Sequence, residues 1–265
     1  MKTVIMAGGK GTRISSVASD IPKPMIKIEG KPVLEHALEC LRDQGFTDII
    51  LTISHLGNII MNYFGDGSVI SPATGKPFGV HIEYYFEERP LGNAGALFKI
   101  KNKLDSDFLL LNADSIFSVD FNRFVDFHKK HGGLVTLFTH PNSHPYDSGL
   151  IVADENNMVE KWLAKEDNRP KYYHNRVNAG LHVINPSVLE QCGIIGDNVG
   201  AMTDNGKNYK VDLDRQLLKP LAGTGKMFCY NSPEYVKDMG TPDRYYLICD
   251  DFKTGRILAK NLKNR

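Results

Sequence analysis

A short apolar strand that empties into a glycine-dense turn constrains this chain more than any other feature. Lys2-Thr3-Val4-Ile5-Met6-Ala7 runs directly into Gly8-Gly9-Lys10-Gly11-Thr12-Arg13, and Pro22-Lys23-Pro24 follows soon after. Glycine removes the side chains that would hold an anion away, and it permits the positive φ angles at which successive backbone N–H groups converge. Arg13 and Lys23 add two full positive charges to those partial ones. The turn is therefore read as a phosphate clamp, with a plain strand-to-helix connection as the alternative. Neither of two common phosphate motifs is present. The dinucleotide fingerprint needs a third glycine where Ile14 stands, and no Gly-Lys-Ser/Thr follows at P-loop spacing.

Bulk properties narrow the classes further. At 265 residues the chain can fill one large α/β domain or two small ones. A formal net charge of +1 provides no global field to recruit nucleic acid or an acidic membrane, so neither is expected as a partner. No apolar run approaches the length of a membrane span, and Met1-Lys2 leads into a strand rather than a signal sequence. Cys40, Cys192, Cys229 and Cys249 are widely spaced with no C-x-x-C, which predicts reduced, buried thiols in a cytoplasmic protein. His128, His131, His140 and His144 lack a nearby cysteine or framing carboxylate and are read as solvated rather than as zinc ligands.

Along the chain, strands and helices alternate. Ile49–Ile53 is a continuous apolar strand of the kind buried on both faces of a parallel sheet, and further strands are expected at 80–85, 108–111 and 134–138. Helices are expected from Pro32, at the first helical position, up to Gly45, from about Asn93, from Phe121 to Lys130, after Asp212 and from Pro242. This βα alternation predicts a doubly wound, Rossmann-like, mostly parallel sheet, with a smaller β region after residue 140. Ligands of such sheets sit at the carboxyl ends of the strands, so the Gly8–Arg13 turn and the residues after Tyr85 and Leu111 should face one crevice. One domain over residues 1–252 is expected, followed by a basic tail over 253–265 that reads as a frayed terminus or a severed linker.

Asn112-Ala113-Asp114 closes the apolar strand 108–111, which places a carboxylate at its tip. Asp238, in Val236-Lys237-Asp238-Met239-Gly240-Thr241-Pro242, likewise ends a strand-like run. Mg²⁺ wants few carboxylates together with phosphate oxygens and water, so two Asp from distant segments suffice.

With Pro90-Leu91-Gly92-Asn93-Ala94-Gly95 and Asn178-Ala179-Gly180, these motifs stand in the order found in sugar-1-phosphate nucleotidyltransferases, which the chain resembles over about residues 1–250. The resemblance implies that Arg13, Lys23, Asp114 and Asp238 are catalytic, with Asp114 and Asp238 on Mg²⁺. It assigns the nucleotide to Ala7, Gly8, Gly9, Gly11, Thr12, Arg13, Lys23, Glu87, Pro90, Gly92 and Asn112. It assigns the sugar phosphate to Asp114, Gly149, Lys165, Asn178 and Gly180. The family's sugar-phosphate lysine lies in a Val-x-x-Phe-x-Glu-Lys segment. Val159-Glu160-Lys161-Trp162-Leu163-Ala164-Lys165 fits it with Trp162 for Phe and Ala164 for Glu, which favours Lys165 and keeps Lys161 as its rival.

The implied reaction joins a nucleoside triphosphate and a sugar 1-phosphate and releases pyrophosphate. A carboxylate only accepts hydrogen bonds, and guanine offers it two adjacent donors, so Glu87 favours GTP over UTP, dTTP and CTP. The segment 20–25 and Pro90-Leu91-Gly92 look most like the mannose 1-phosphate and D-glycero-D-manno-heptose 1-phosphate guanylyltransferases. The compact length, with no C-terminal left-handed β-helix, favours the heptose type. In that branch a sugar-phosphate phosphatase can be fused or act as a partner, which suits the tail as a linker; a homo-oligomer is also compatible. Two further classes stay open: a non-catalytic nucleotide-sugar-binding regulator, and a dinucleotide-dependent oxidoreductase that the missing third glycine disfavours.

Overall fold

The computed structural model describes residues 1–9, 14, 20–143, 145–203 and 206–257. In chain order the first strands are β1 (Thr3–Met6), β2 (Lys27–Ile28), β3 (Lys31–Pro32), β4 (Asp48–Ile53), β5 (His81–Phe86), β6 (Phe108–Asn112) and β7 (Ser115–Ser118). The rest are β8 (Val135–His140), β9 (Leu150–Ala153), β10 (Val159–Leu163), β11 (Val177–Ile184), β12 (Met227–Asn231) and β13 (Tyr235–Asp238). The helices are α1 (Val33–Arg42), α2 (Gly57–Phe64), α3 (Gly95–Lys99), α4 (Phe121–His131), α5 (Val188–Gln191) and α6 (Pro242–Lys253). The chain divides into two compact units, one of residues 1–89, 111–121 and 234–265, the other of residues 90–110 and 122–233.

In the first unit β1 pairs in parallel with β4, and β4 with β5. The apolar run in β4 is buried from Ile49 to Ile53, as expected of a strand covered on both faces. The mostly parallel, Rossmann-like sheet expected from the sequence is thus present. A separate antiparallel ribbon joins β7 to β13. Ile26, Ile28, Val33, Ile116, Met239 and Ile248 form one apolar cluster that ties this ribbon to α1 and α6. Two details differ from expectation. Pro32 sits in a bridge with Lys27 and precedes α1, whose first residue is Val33. Helix α2 carried no cap signal, since the residue before it is Leu56, in the left-handed conformation with φ 61°.

The second unit is richer in antiparallel pairs: β10 with β9, β9 with β11, and β11 with β8, while β12 joins β8 in parallel. Phe124 of α4 packs edge-on against Phe138 of β8, and both rings meet Tyr230 of β12. His128 corrects the expectation of a solvated side chain. It is only 2% exposed, with Nδ1 on Thr136 Oγ1 at 2.8 Å and Nε2 facing Asp107 at 3.3 Å. Helical periodicity places 128 on the same stripe as Phe121 and Phe124, which a count of polar residues concealed. All four cysteines are free thiols, and among them Cys229 alone is fully buried. Helix α3 begins at Gly95 rather than Asn93, because Asn93 spends its side chain on the amide of Leu213. No helix among the described residues is long and apolar enough to cross a membrane. Of the expected basic tail, residues 258–265 lie outside the described residues.

Candidate functional site

The exit of β1 is assembled by backbone bonds that continue the sheet. Ala7 N–H donates to Thr52 at 2.8 Å, and the Gly8 carbonyl accepts from Ser54 Oγ at 2.6 Å. A Cβ added at Gly8 would come within 2.8 Å of Glu87 Oε1, so the glycine makes room for that carboxylate. Glu87 is held there by its own amide, which donates to Ile53 at 2.7 Å and extends the β4–β5 ladder by one residue. Gly9 has open space where a side chain would stand. Gly11, Thr12 and Arg13 lie outside the described residues.

The end of β6 lies beside this exit. Ala113 N–H donates to Met6 at 3.2 Å, which sets Asn112 and Asp114 on either side of a fixed point. Lys23 lies in a single 3-10 turn, 23–25, closed by Met25 N–H on Pro22 at 2.8 Å. Pro22 and Pro24 limit the backbone on both sides. From that turn the Lys23 ammonium forms an ion pair with the Asp114 carboxylate. The lysine side chain is only 11% exposed, so this charge is largely withdrawn from water.

Asp238 arrives at the same strand end by register. In the antiparallel ribbon it stands opposite Ser115, and Met239 N–H donates to the Asp114 carbonyl at 2.9 Å. Its carboxylate accepts from Gly240 N–H at 2.7 Å and from Arg244 Nη1 at 2.9 Å to each oxygen. Sequence reading missed Arg244. The signal was available: Thr241 caps α6 and Pro242 opens it, so position 244 falls on the first turn, over the strand end. Asp114 and Asp238 are hard oxygen donors, the type Mg²⁺ takes together with phosphate and water, and here they pair with Lys23 and Arg244.

In the second unit, Gly92 (φ 86°) brings its backbone against Val211, where any Cβ would collide. Ala94 N–H donates to the Val211 carbonyl at 3.1 Å and Val211 N–H to Leu91 at 2.8 Å. The loop of Pro90 and Gly92 is therefore clamped by a segment far along the chain. Asn178 and Gly149 are joined by the Asn178 N–H, which donates to the Gly149 carbonyl at 3.4 Å. A Cβ at Gly149 would come within 2.7 Å of Trp162 Nε1.

Between Asn178 and His182 the register of β11 shifts, and Gly180 takes a φ of 75°. Asn178 Oδ1 accepts from Gly180 N–H at 3.2 Å, so the same oxygen takes the proton of His182 Nε2 at 3.1 Å. Both bonds fall on the Asn178 oxygen and leave its N–H₂ group as a donor. His182 is buried, and burial pushes its pKa down to about 4 although the Leu110 carbonyl opposes the shift, so it stays neutral at pH 7. Lys165 stands in a turn closed by Asp167, whose N–H donates to Ala164 and whose carboxylate accepts the Ala164 N–H. Lys161 and Lys165 are both exposed.

A family profile described as "Nucleotidyl transferase" matches residues 2–252. The chain is 33% identical, over 98% of its length, to the mannose-1-phosphate guanyltransferase of Saccharomyces cerevisiae. It is 30% identical, over 92% of its length, to a probable mannose-1-phosphate guanylyltransferase of Oryza sativa subsp. japonica. It spans 65% and 63% of those two proteins, less than two thirds of their length. Among solved structures it is similar to HddC from Yersinia pseudotuberculosis complexed with GMP-PN, with a TM-score of 0.71 and 26% identity. That likeness covers 95% of this chain and 99% of the other.

Proposed function

The chain belongs to the nucleotidyl transferase family, and on that footing we propose that it transfers a guanylyl group from GTP to a sugar 1-phosphate and releases pyrophosphate. The observation that carries this reading is the convergence of Lys23, Asp114, Asp238 and Arg244 at adjoining strand ends, beside the exit of β1. Two cations and two carboxylates at one place suit a reaction between polyanions.

The sugar 1-phosphate is largely dianionic at neutral pH, with a second pKa near ~6, and needs no general base. Its oxygen attacks the α-phosphorus in line while pyrophosphate leaves. The work of the protein is alignment and charge neutralisation. Asp114 and Asp238 would hold Mg²⁺, which supplies further positive charge to the triphosphate when bound. Lys23 keeps Asp114 oriented and adds its own charge, and Arg244 fixes the Asp238 rotamer. Arg13 belongs to the same proposal as a triphosphate ligand.

Glu87 supports GTP. Its acceptor-only carboxylate lies at the β1 exit, where it suits the guanine N1–H and N2 amino donors. The names of the relatives point the same way. Gly149, Lys165, Asn178 and Gly180 are proposed to meet the sugar phosphate, with mannose 1-phosphate and D-glycero-D-manno-heptose 1-phosphate as the candidates. A cytoplasmic location belongs to the same proposal.

Initial rates of pyrophosphate release, measured with Mg²⁺, each of GTP, UTP, dTTP and CTP, and a panel of sugar 1-phosphates, test the reading. GTP with a manno-configured sugar 1-phosphate is expected to be fastest. Another nucleotide ranking first removes the role of Glu87, and silence with every pair overturns the activity.

A further inference from the structure

Arg169 is a guanidinium that serves only backbone oxygens among its recorded hydrogen bonds. Nη1 donates to Pro145 at 2.6 Å and Nη2 to Ser148 at 2.5 Å, on the segment that leads into β9. Nη2 also donates to Leu163 at 3.3 Å, and Nε to Ala164 at 3.4 Å, on the segment that leaves β10. One planar fork thus ties together two stretches of chain that the β9–β10 ladder brings side by side. A lysine has no such fork, since its three donors radiate from a single atom.

The clamped carbonyls are informative by position. Ser148 immediately precedes Gly149, and Ala164 immediately precedes Lys165. In a trans peptide the C=O and the following N–H point in opposite directions. Turning the Ser148 oxygen onto Arg169 therefore aims the Gly149 N–H away from the guanidinium, and the Ala164 oxygen does the same for the Lys165 N–H. The turn that carries Lys165 is held a second time by Asp167, which accepts the Ala164 N–H at 2.8 Å and pairs with Lys219 at 3.0 Å. Groups on two separate loops would otherwise lose their mutual placement to conformational entropy.

We propose that Arg169 is a positioning residue for the sugar 1-phosphate. By fixing the peptide planes before Gly149 and Lys165, it presents a backbone donor and an ammonium to the ligand as one preformed surface. This rests on the activity proposed above and adds a residue that touches no reacting atom.

The test is steady-state pyrophosphate release by wild type, Arg169→Lys and Arg169→Ala. Mg²⁺, GTP and whichever of mannose 1-phosphate and D-glycero-D-manno-heptose 1-phosphate the wild type uses faster are the reactants. Loss of charge-assisted bonds should raise KM for the sugar 1-phosphate about tenfold in Arg169→Lys, with KM for GTP within about twofold and kcat less affected. A merely structural arginine would lower kcat and raise both KM values together. Unchanged KM for the sugar 1-phosphate in Arg169→Lys, or a matching rise for GTP, overturns the inference. Should Arg169→Ala fail to fold, the lysine variant decides alone. A wild type inactive with both sugars instead refutes the underlying activity, and the inference falls with it.

Discussion

Met239 donates its amide proton to the carbonyl of Asp114 at 2.9 Å, and this single bond joins the backbone at Asp114 to the end of β13 that carries Asp238. Two residues remote in sequence thereby share one edge of a ribbon. Each is held by its own cation, Lys23 for Asp114 and Arg244 for Asp238.

Lys23→Met and Asp114→Asn should each reduce turnover on the order of 10³-fold or more, as losses of charge-stabilising groups in phosphoryl transfer do. Both should keep the fold, because the Asp114 side chain is 31% exposed and stays in contact with water without Lys23, and asparagine still offers Lys23 an acceptor oxygen. Pyrophosphate release and a thermal melt measured on the same preparation check both halves. Near-normal rates with either variant would end the assignment.

Arg244→Ala should act through Asp238. With its bidentate partner gone, the carboxylate loses its rotamer, and partners of metal ligands typically cost about 10- to 100-fold when removed. A Mg²⁺ titration of activity should show the loss as a raised half-saturating concentration. If the Mg²⁺ titration curves of wild type and Arg244→Ala coincide, Arg244 has no such role.

Glu87→Gln replaces one acceptor by a donor, which faces the guanine donors with a mismatch. The preference for GTP over UTP should fall by about 10-fold or more in kcat/KM. Gly8→Ala should act on the same carboxylate, since its Cβ would press on Glu87 Oε1 at 2.8 Å. An unaltered nucleotide ranking in both variants would show that the base is read elsewhere.

The buried histidines predict acid sensitivity. Burial lowers His182 and His36 to about 4, below the ordinary value of 6.5. The unfolded chain therefore binds more protons between these values. Stability is fully present above about pH 6.5 and is lost as pH falls towards 4, by an amount on the order of a few kcal/mol. Urea unfolding at steps from pH 7 to pH 4 should show this loss, and His182→Gln should flatten it. A variant slope equal to that of the wild type would contradict the burial account.

Residue patterns alone were enough for the parallel strands, because a run such as Ile49–Ile53 is apolar on both faces and can lie only inside a covered sheet. Turn chemistry likewise revealed the exit of β1 at Gly8 and the start of α6 at Pro242. The same reading failed at His128 and at α2. A polar residue on an apolar stripe looks solvated until its partners Thr136 and Asp107 are known, and a helix without a cap leaves no mark at its start.

The amino-acid order by itself determined the fold class, the alternation of elements and the small set of charged residues at strand ends, because these depend on interactions between near neighbours in the chain. Tertiary structure alone decided that Lys23 meets Asp114, that Asp238 stands next to Asp114 and that Arg169 joins the segments before Gly149 and Lys165. The last two follow from the register of β7 with β13 and of β9 with β10. Register is set when distant segments bury their apolar faces together, a choice made by the packed core rather than by any local stretch of sequence.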